Sequence, residues 1–182
     1  MGSLIYGTIA SLDGYIADEN GDFGWAEPDA EVHSFINDEE LEIGTYLYGR
    51  RTYETMAVWE DLEDDSPQMR DYARLWRAAE KIVYSTTLPE VTTSKTRLER
   101  SFDVEAVRRL VSELPHPASI SGPGLARHAL LAGLVDELRV YVVPMIIGGG
   151  TKALPDGLRL KLRLDIERHF DNGTVYMRYK VE

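Results

Sequence analysis

Cysteine is missing from all 182 positions of the chain. That one absence removes disulfides, thiolate nucleophiles and thiolate zinc sites together. Histidine is scarce too: His33, His116, His128 and His169 show no metal-ligand spacing, so each reads as a surface or cap residue and no metal is expected. Basic residues are outnumbered, 20 against 31 acids, and a net charge of -11 excludes nucleic acid as the main partner while leaving room for a local anion pocket. No window nears the roughly 18 uninterrupted apolar residues of a membrane span. Met1-Gly2-Ser3-Leu4-Ile5-Tyr6 has no basic region before its apolar run, so the chain reads as cytoplasmic, with no membrane partner. What is present is a hydrophobic fraction of 43%, enough for one sizeable core, in a length that fits a single domain over residues 1–182.

Strand and helix signals alternate along the chain. Ser3 to Ala10 reads as a buried first strand ending in the turn Ser11-Leu12-Asp13-Gly14, and the polar stretch Asp18 to Asp29 reads as a flexible loop carrying Phe23 and Trp25. Helix is expected from about Ala30 to Leu41, then a strand Thr45 to Tyr48 closed by Gly49, and a second helix opening at Arg50. Ser66 as N-cap with Pro67 in the first turn predicts a helix over Gln68 to Glu80 that feeds the strand Lys81 to Tyr84. Trp59 and Trp76 read as helix-face packing. Asp103 is expected to cap an amphipathic helix through Leu114, followed by the strand Ala118 to Ile120. After a strand over Leu138 to Val143, two alternating segments around Asp171-Asn172-Gly173 predict an antiparallel hairpin. The fold class is α/β: a mostly parallel central sheet flanked by helices, ending in that C-terminal hairpin.

Three strand ends pass through small or polar residues, where free backbone N–H groups can face an anion. At Gly49-Arg50-Arg51-Thr52 a helix start, a hydroxyl and two guanidiniums come together, and arginine's planar fork matches a phosphate better than a bare hydroxyl. At Ser121-Gly122-Pro123-Gly124-Leu125 glycine permits close backbone approach to a pyrophosphate, although the run lacks the third glycine of a Rossmann fingerprint. Gly148-Gly149-Gly150-Thr151 offers a similar approach to a ring or ribose, or a plain bend between strands. Asp13, at the end of the first strand, is the candidate acid for relaying a proton; a turn aspartate bonding its own backbone is the other reading. Trp25 and Phe23 could lid a site.

Taken in order, Ser11-Leu12-Asp13-Gly14-Tyr15-Ile16-Ala17, Gly21-Asp22 with Trp25, Gly49-Arg50-Arg51-Thr52-Tyr53-Glu54, Lys81 to Leu88, Gly122-Pro123-Gly124-Leu125, Ala132 to Leu138 and Pro144 to Gly150 resemble the dihydrofolate-reductase-like superfamily. The sequence is most similar to stand-alone relatives of the reductase domain of bifunctional riboflavin-biosynthesis deaminase-reductases. That resemblance implies an NADPH-dependent reductase, often a homodimer, that passes hydride to a small planar conjugated substrate (pterin-, pyrimidine- or flavin-like). It implies that Gly49, Arg50, Arg51 and Thr52 hold the 2′-phosphate, Ser85, Thr86 and Thr87 the adenine-ribose side, and Ser121, Gly122, Pro123, Gly124 and Leu125 the pyrophosphate. Ile9 and Ala10 with Gly149, Gly150 and Thr151 would flank the nicotinamide, and Trp25, Tyr53 and Tyr141 would meet the substrate.

Two departures stand out. Riboflavin-pathway reductases carry a lysine after the Asp-Gly pair and a glutamate before the glycine run, where this chain has Tyr15 and Ile120. A phosphorylated ribityl or ribosyl substrate would leave its groups unpaired there. The same residues would also suit a nucleotide-binding or interaction module that kept the fold without turnover.

Overall fold

The computed structural model describes residues 2–64 and 66–182; Met1 of the N-terminal run lies outside the described residues. The chain opens with β1 (Leu4–Ser11), β2 (Tyr15–Ala17), α1 (Ala30–Glu40), β3 (Thr45–Gly49) and α2 (Arg50–Met56). It continues through α3 (Pro67–Ala78), β4 (Glu80–Tyr84), β5 (Thr96–Glu99), α4 (Val104–Glu113), β6 (Ala118–Ser121) and α5 (Pro123–Leu131). It ends with β7 (Glu137–Val143), β8 (Thr151–Lys152), β9 (Leu162–His169) and β10 (Val175–Val181).

Among the described residues eight strands form one sheet in the order β5-β4-β3-β6-β1-β7-β10-β9, and β2 pairs with β8 in a separate ribbon. Pairing is parallel from β5 to β7, and β10 turns antiparallel between β7 and β9, as the hairpin signal predicts. The period of two along each strand decides which helices lie on which face. Leu4 and Tyr6 of β1, with Leu47, Ile120 and Leu138, meet Val107 and Val111 of α4 and Leu125, Ala126, Ala129 and Leu130 of α5. Ile5, Tyr46, Tyr48 and Val83 point the other way, onto Tyr72 and Trp76 of α3. Phe35 of α1 stacks edge-on against Phe170 and Tyr176 on that same side. Trp76 is fully buried and Trp59 packs against its cluster, as expected for helix-face residues. No helix among the described residues is long and apolar enough to cross a membrane.

Local chemistry explains the helix starts. Asp103 Oδ1 accepts the Ala106 N–H at 2.7 Å, the cap expected from sequence, and Asp29 Oδ1 does the same for Val32 at 2.9 Å. Ser66 stands at the N-cap position of α3 without capping through its side chain; its hydroxyl turns back to the Asp64 carboxylate, and Pro67 alone marks the first turn. Lys81 is a finding the sequence did not announce. Its ammonium is buried, donates at 3.1 Å to the carbonyls of Trp76 and Ala79, and lies 4.2 Å from the Trp76 ring centre, so it closes the C-terminal end of α3. Burial lowers its pKa below the ordinary lysine value. His33 corrects an expectation. It is buried rather than at the surface, edge-on to Trp59 and Tyr72 with Nδ1 unpartnered, and burial lowers its pKa.

Candidate active site

Every parallel strand delivers its carboxyl end to the same edge of the sheet, so the loops that follow β4, β3, β6, β1 and β7 stand side by side. Four spacings of about 4.8 Å make this row about 19 Å long, enough for an extended ligand. Two hollows open along it.

The first is an open cleft of about 430 Å³ lined by Gly49, Ser85, Thr86, Arg100, Gly124 and Leu125, with Tyr84, Phe102 and His128 as an aromatic wall. Gly122 adopts φ +88, and a Cβ there would overlap the hydroxyl of Thr52. The turns after β3 and β6, far apart in sequence, therefore touch through a contact only glycine allows. A Cβ on Gly124 would meet nothing within 4 Å, which leaves the start of α5 open to the cleft. The N–H groups in that first turn have no intrahelical acceptor. Around the rim, Arg50 donates to Glu54 at 2.8 Å and to the Thr87 hydroxyl at 3.1 Å, whereas the Arg51 guanidinium makes no hydrogen bond or ion pair among the described residues. Ser85 Oγ accepts the N–H groups of Thr87 and Leu88, and Arg100 ties down the same loop through the carbonyls of Leu88 and Pro89.

The second hollow, about 190 Å³, lies at the ends of β1 and β7. Ile9, Trp25 and Tyr141 line it as a group, together with Glu27, Val32, Val143, Met145, Asn172 and Thr174. Trp25 is fixed in a single helical turn, its indole N–H donating to the Asp22 carbonyl at 3.1 Å, and the Asp18 carboxylate ties the loop by accepting from Asn20 and Asp22. The segment read as a flexible loop is thus internally bonded. Burial raises the pKa of Tyr141 far above that of a free phenol, so its hydroxyl keeps its proton.

Four expected residues have structural partners of their own. Asp13 does not stand as a poised acid: Oδ1 accepts from the Ser11 hydroxyl at 2.7 Å and the Ile147 N–H at 3.1 Å, and Oδ2 from the Gly148 N–H at 2.7 Å. These donors, the Ser11 hydroxyl first, hold its carboxyl below the ordinary aspartate value, so it straps the glycine run to the end of β1 and accepts protons in hydrogen bonds rather than giving one. Tyr53 is buried among Tyr48, Tyr72 and Trp76, its hydroxyl accepting the Thr92 N–H at 2.8 Å, and it lines neither hollow. A Cβ on Gly150 would run into the backbone of Ala17 and Asp18, so this glycine serves the pairing of Thr151 with Ala17. Gly149 lies against Glu19. Sequence reasoning missed Arg100, Phe102 and His128 in the first hollow and Glu27 and Asn172 in the second.

Comparison with known proteins agrees with this architecture. The family model described as "RibD C-terminal domain" matches residues 3–176. The chain is 26% identical to the uncharacterized protein YyaP of Bacillus subtilis (strain 168), over 97% of this chain and 93% of that one. A candidate riboflavin biosynthesis protein from Shewanella sp. PV-4 superposes with a TM-score of 0.78 at 20% identity, covering 99% of both chains. Dihydrofolate reductase from Enterococcus faecalis, solved with NADP(H), gives 0.67 at 18% identity, covering 100% of this chain and 97% of that one. At such identities these two structures speak for the fold alone.

Proposed function

Because the chain belongs to the family of RibD C-terminal domains, a reductase family, we propose that it is an NADPH-dependent oxidoreductase acting on a small planar conjugated substrate. The observation that carries this reading is the alignment of two unlike hollows on one sheet edge: an open, glycine-lined cleft beside β3, β4 and β6, and a smaller, ring-sized cavity beside β1 and β7.

The cleft fits the cofactor on features of this chain. Gly124 leaves the start of α5 open to it, Arg51 is a cation without a partner among the described residues, and Tyr84, Phe102 and His128 offer aromatic surface to an adenine. In this reading Arg50, Arg51 and Thr52 take the 2′-phosphate, Ser85, Thr86 and Thr87 the ribose, and Ser121 to Leu125 the pyrophosphate. Ile9 and Ala10 form the floor under the nicotinamide, and Gly149, Gly150 and Thr151 border it. NADPH, when bound, supplies the hydride. The chain's own contribution is orientation and exclusion of water. Trp25 and Tyr141 sandwich the entering ring, and Asp13 acts as a positioning residue that keeps the loop after β7 in place.

The arginines make the reading testable. Arg51→Ala is expected to weaken NADPH binding by about 1–3 kcal/mol, the range for hydrogen bonds to a charged group, while NADH binding stays the same. Arg50→Ala should cost less, because Arg50 already spends one donor on Glu54. Calorimetric titration with both cofactors decides it: equal losses for NADPH and NADH, or no NADPH binding by the unaltered protein, would defeat the assignment.

We also propose that the protein works as a homodimer. Leu162, Leu164 and Val175 stand exposed on one face of the β9–β10 hairpin, an apolar stripe suited to a second copy of the chain. Light scattering of the unaltered protein and of Leu164→Glu is expected to show a dimer and a monomer respectively; an unaltered protein that runs as a monomer would refute this.

A further inference from the structure

The cavity at the ends of β1 and β7 mixes apolar walls with one carboxylate and one amide. Ile9, Val32, Val143 and Met145 supply hydrocarbon, Trp25 and Tyr141 aromatic surface, and no lysine, arginine or histidine among the described residues lines it. Its one ionisable acid is Glu27, whose backbone N–H is fixed to the Gly24 carbonyl at 3.2 Å and whose carboxylate makes no hydrogen bond or ion pair among the described residues. Asn172 adds the complementary polarity: its Oδ1 accepts the Thr174 N–H at 2.9 Å, which leaves the amide N–H groups as donors.

Size and charge together restrict what can enter. A cavity of about 150 Å³ holds a benzene molecule, so 190 Å³ admits one ring with small substituents or a compact fused pair, and any longer tail stays outside. An anionic group on that ring would give up water beside an unpaired carboxylate, with the neutral Asn172 amide as a donor but no cation among the lining residues to balance its charge. A neutral ring meets no such cost, and a cationic one gains a partner.

We infer that Glu27 is the charge filter of this cavity: it admits neutral and cationic conjugated rings and turns away rings bearing a carboxylate or phosphate. The inference rests on the proposed reductase reading for the place of the cavity, and it names the substrate class of that site. It also sets the protein apart from a reductase that must seat a phosphorylated sugar on the ring side.

Three probes of matched shape test it: N-methylquinolinium, quinoline and quinoline-2-carboxylate, titrated calorimetrically into the full chain with and without saturating NADPH. The cation and the neutral ring are expected to bind at least tenfold more tightly than the carboxylate. Glu27→Gln should cut the cation-over-anion ratio at least fivefold, and Glu27→Lys should invert it. Glu27 is exposed at the cavity mouth, so both variants should fold, which circular dichroism checks. A carboxylate that binds as tightly as quinoline, a ratio indifferent to both substitutions, or no binding by any probe overturns the inference. NADPH titration of the same samples is read separately, so loss of charge selection with intact NADPH binding removes the filter alone, whereas absent NADPH binding removes the cofactor reading.

Discussion

Replacing Arg139 with methionine is expected to lower the unfolding free energy by about 3–5 kcal/mol, the range for removing one partner of a buried ion pair. Arg139 sits on β7 with only 3% of its surface exposed. Its Nε donates to Glu137 at 2.6 Å, Nη1 to the Glu39 carbonyl at 2.6 Å, and Nη2 to the Glu42 carboxylate. Methionine preserves length but leaves Glu137, itself buried, with Lys180 as its remaining cationic partner. Adding Glu137→Gln to Arg139→Met should recover part of the loss, because the buried carboxylate that lost one of its two cationic partners goes with it.

The same network predicts a pH dependence. Burial pushes the Glu137 carboxyl up, but hydrogen bonds from Lys180 and Arg139 outweigh it and hold its folded pKa below the ordinary glutamate value. A depressed carboxyl contributes stability that is fully present above its unfolded pKa, about 4.3, and is lost as pH falls through the folded value. The unaltered protein should therefore weaken in urea below about pH 4, and Arg139→Met should show a shallower acid limb. Glu40, raised by burial, has the opposite sign, and because the Arg139 charge lowers it, Arg139→Met moves it as well; comparing Arg139→Met with Arg139→Met plus Glu137→Gln isolates the Glu137 share. Parallel acid limbs would show that Arg139 does not hold the Glu137 proton off.

Gly122→Ala is expected to damage fold and cleft together. At φ +88 and ψ 121 the backbone lies outside the left-handed region that other residues tolerate, a cost of about 1–3 kcal/mol. The added methyl overlaps the Thr52 hydroxyl, and overpacking of this kind adds about 1–3 kcal/mol. Thr52 and the start of α5 must then move apart, and under the proposed cofactor assignment NADPH affinity should fall at least about tenfold, or about 1.4 kcal/mol. The double variant Gly122→Ala with Thr52→Ala separates the two causes, since it relieves the overlap and keeps the backbone strain. Urea titrations in which the double variant is no more stable than the single one would show that the Thr52 contact is not the obstacle.

How much of this was legible depended on the length and polarity of each segment. β1, β3, β4, β6 and β7 announce themselves because burial on both faces demands continuous β-branched and aromatic residues, as in Tyr46-Leu47-Tyr48. β5 did not: Thr96-Arg97-Leu98-Glu99 is a short, half-polar edge strand whose charges suit solvent and hide its periodicity. β2 and β8 are three and two residues long, too short to show any period. The glycine-bearing strand ends could be read because each is local. Arg100 and Phe102 could not, since they reach the cleft only when β5 returns beside β4, and His128 joins them only when α5 packs against the sheet. Glu27 and Asn172 likewise meet only when the C-terminal hairpin folds back near α1. Tyr53 was misplaced for a geometric reason: the fourth residue of α2 faces inward against α3, not out along the sheet edge.

The place of β1 also dictates how the protein must be made. Among the described residues β1 pairs only with β6 and β7, and its nearest partner in sequence, Ala118 against Leu4, is translated long after it. At about 5–20 residues per second β1 waits on the order of 5–20 s as an unpaired hydrocarbon segment. Refolding of the purified protein is therefore expected to be slow for a chain of this size.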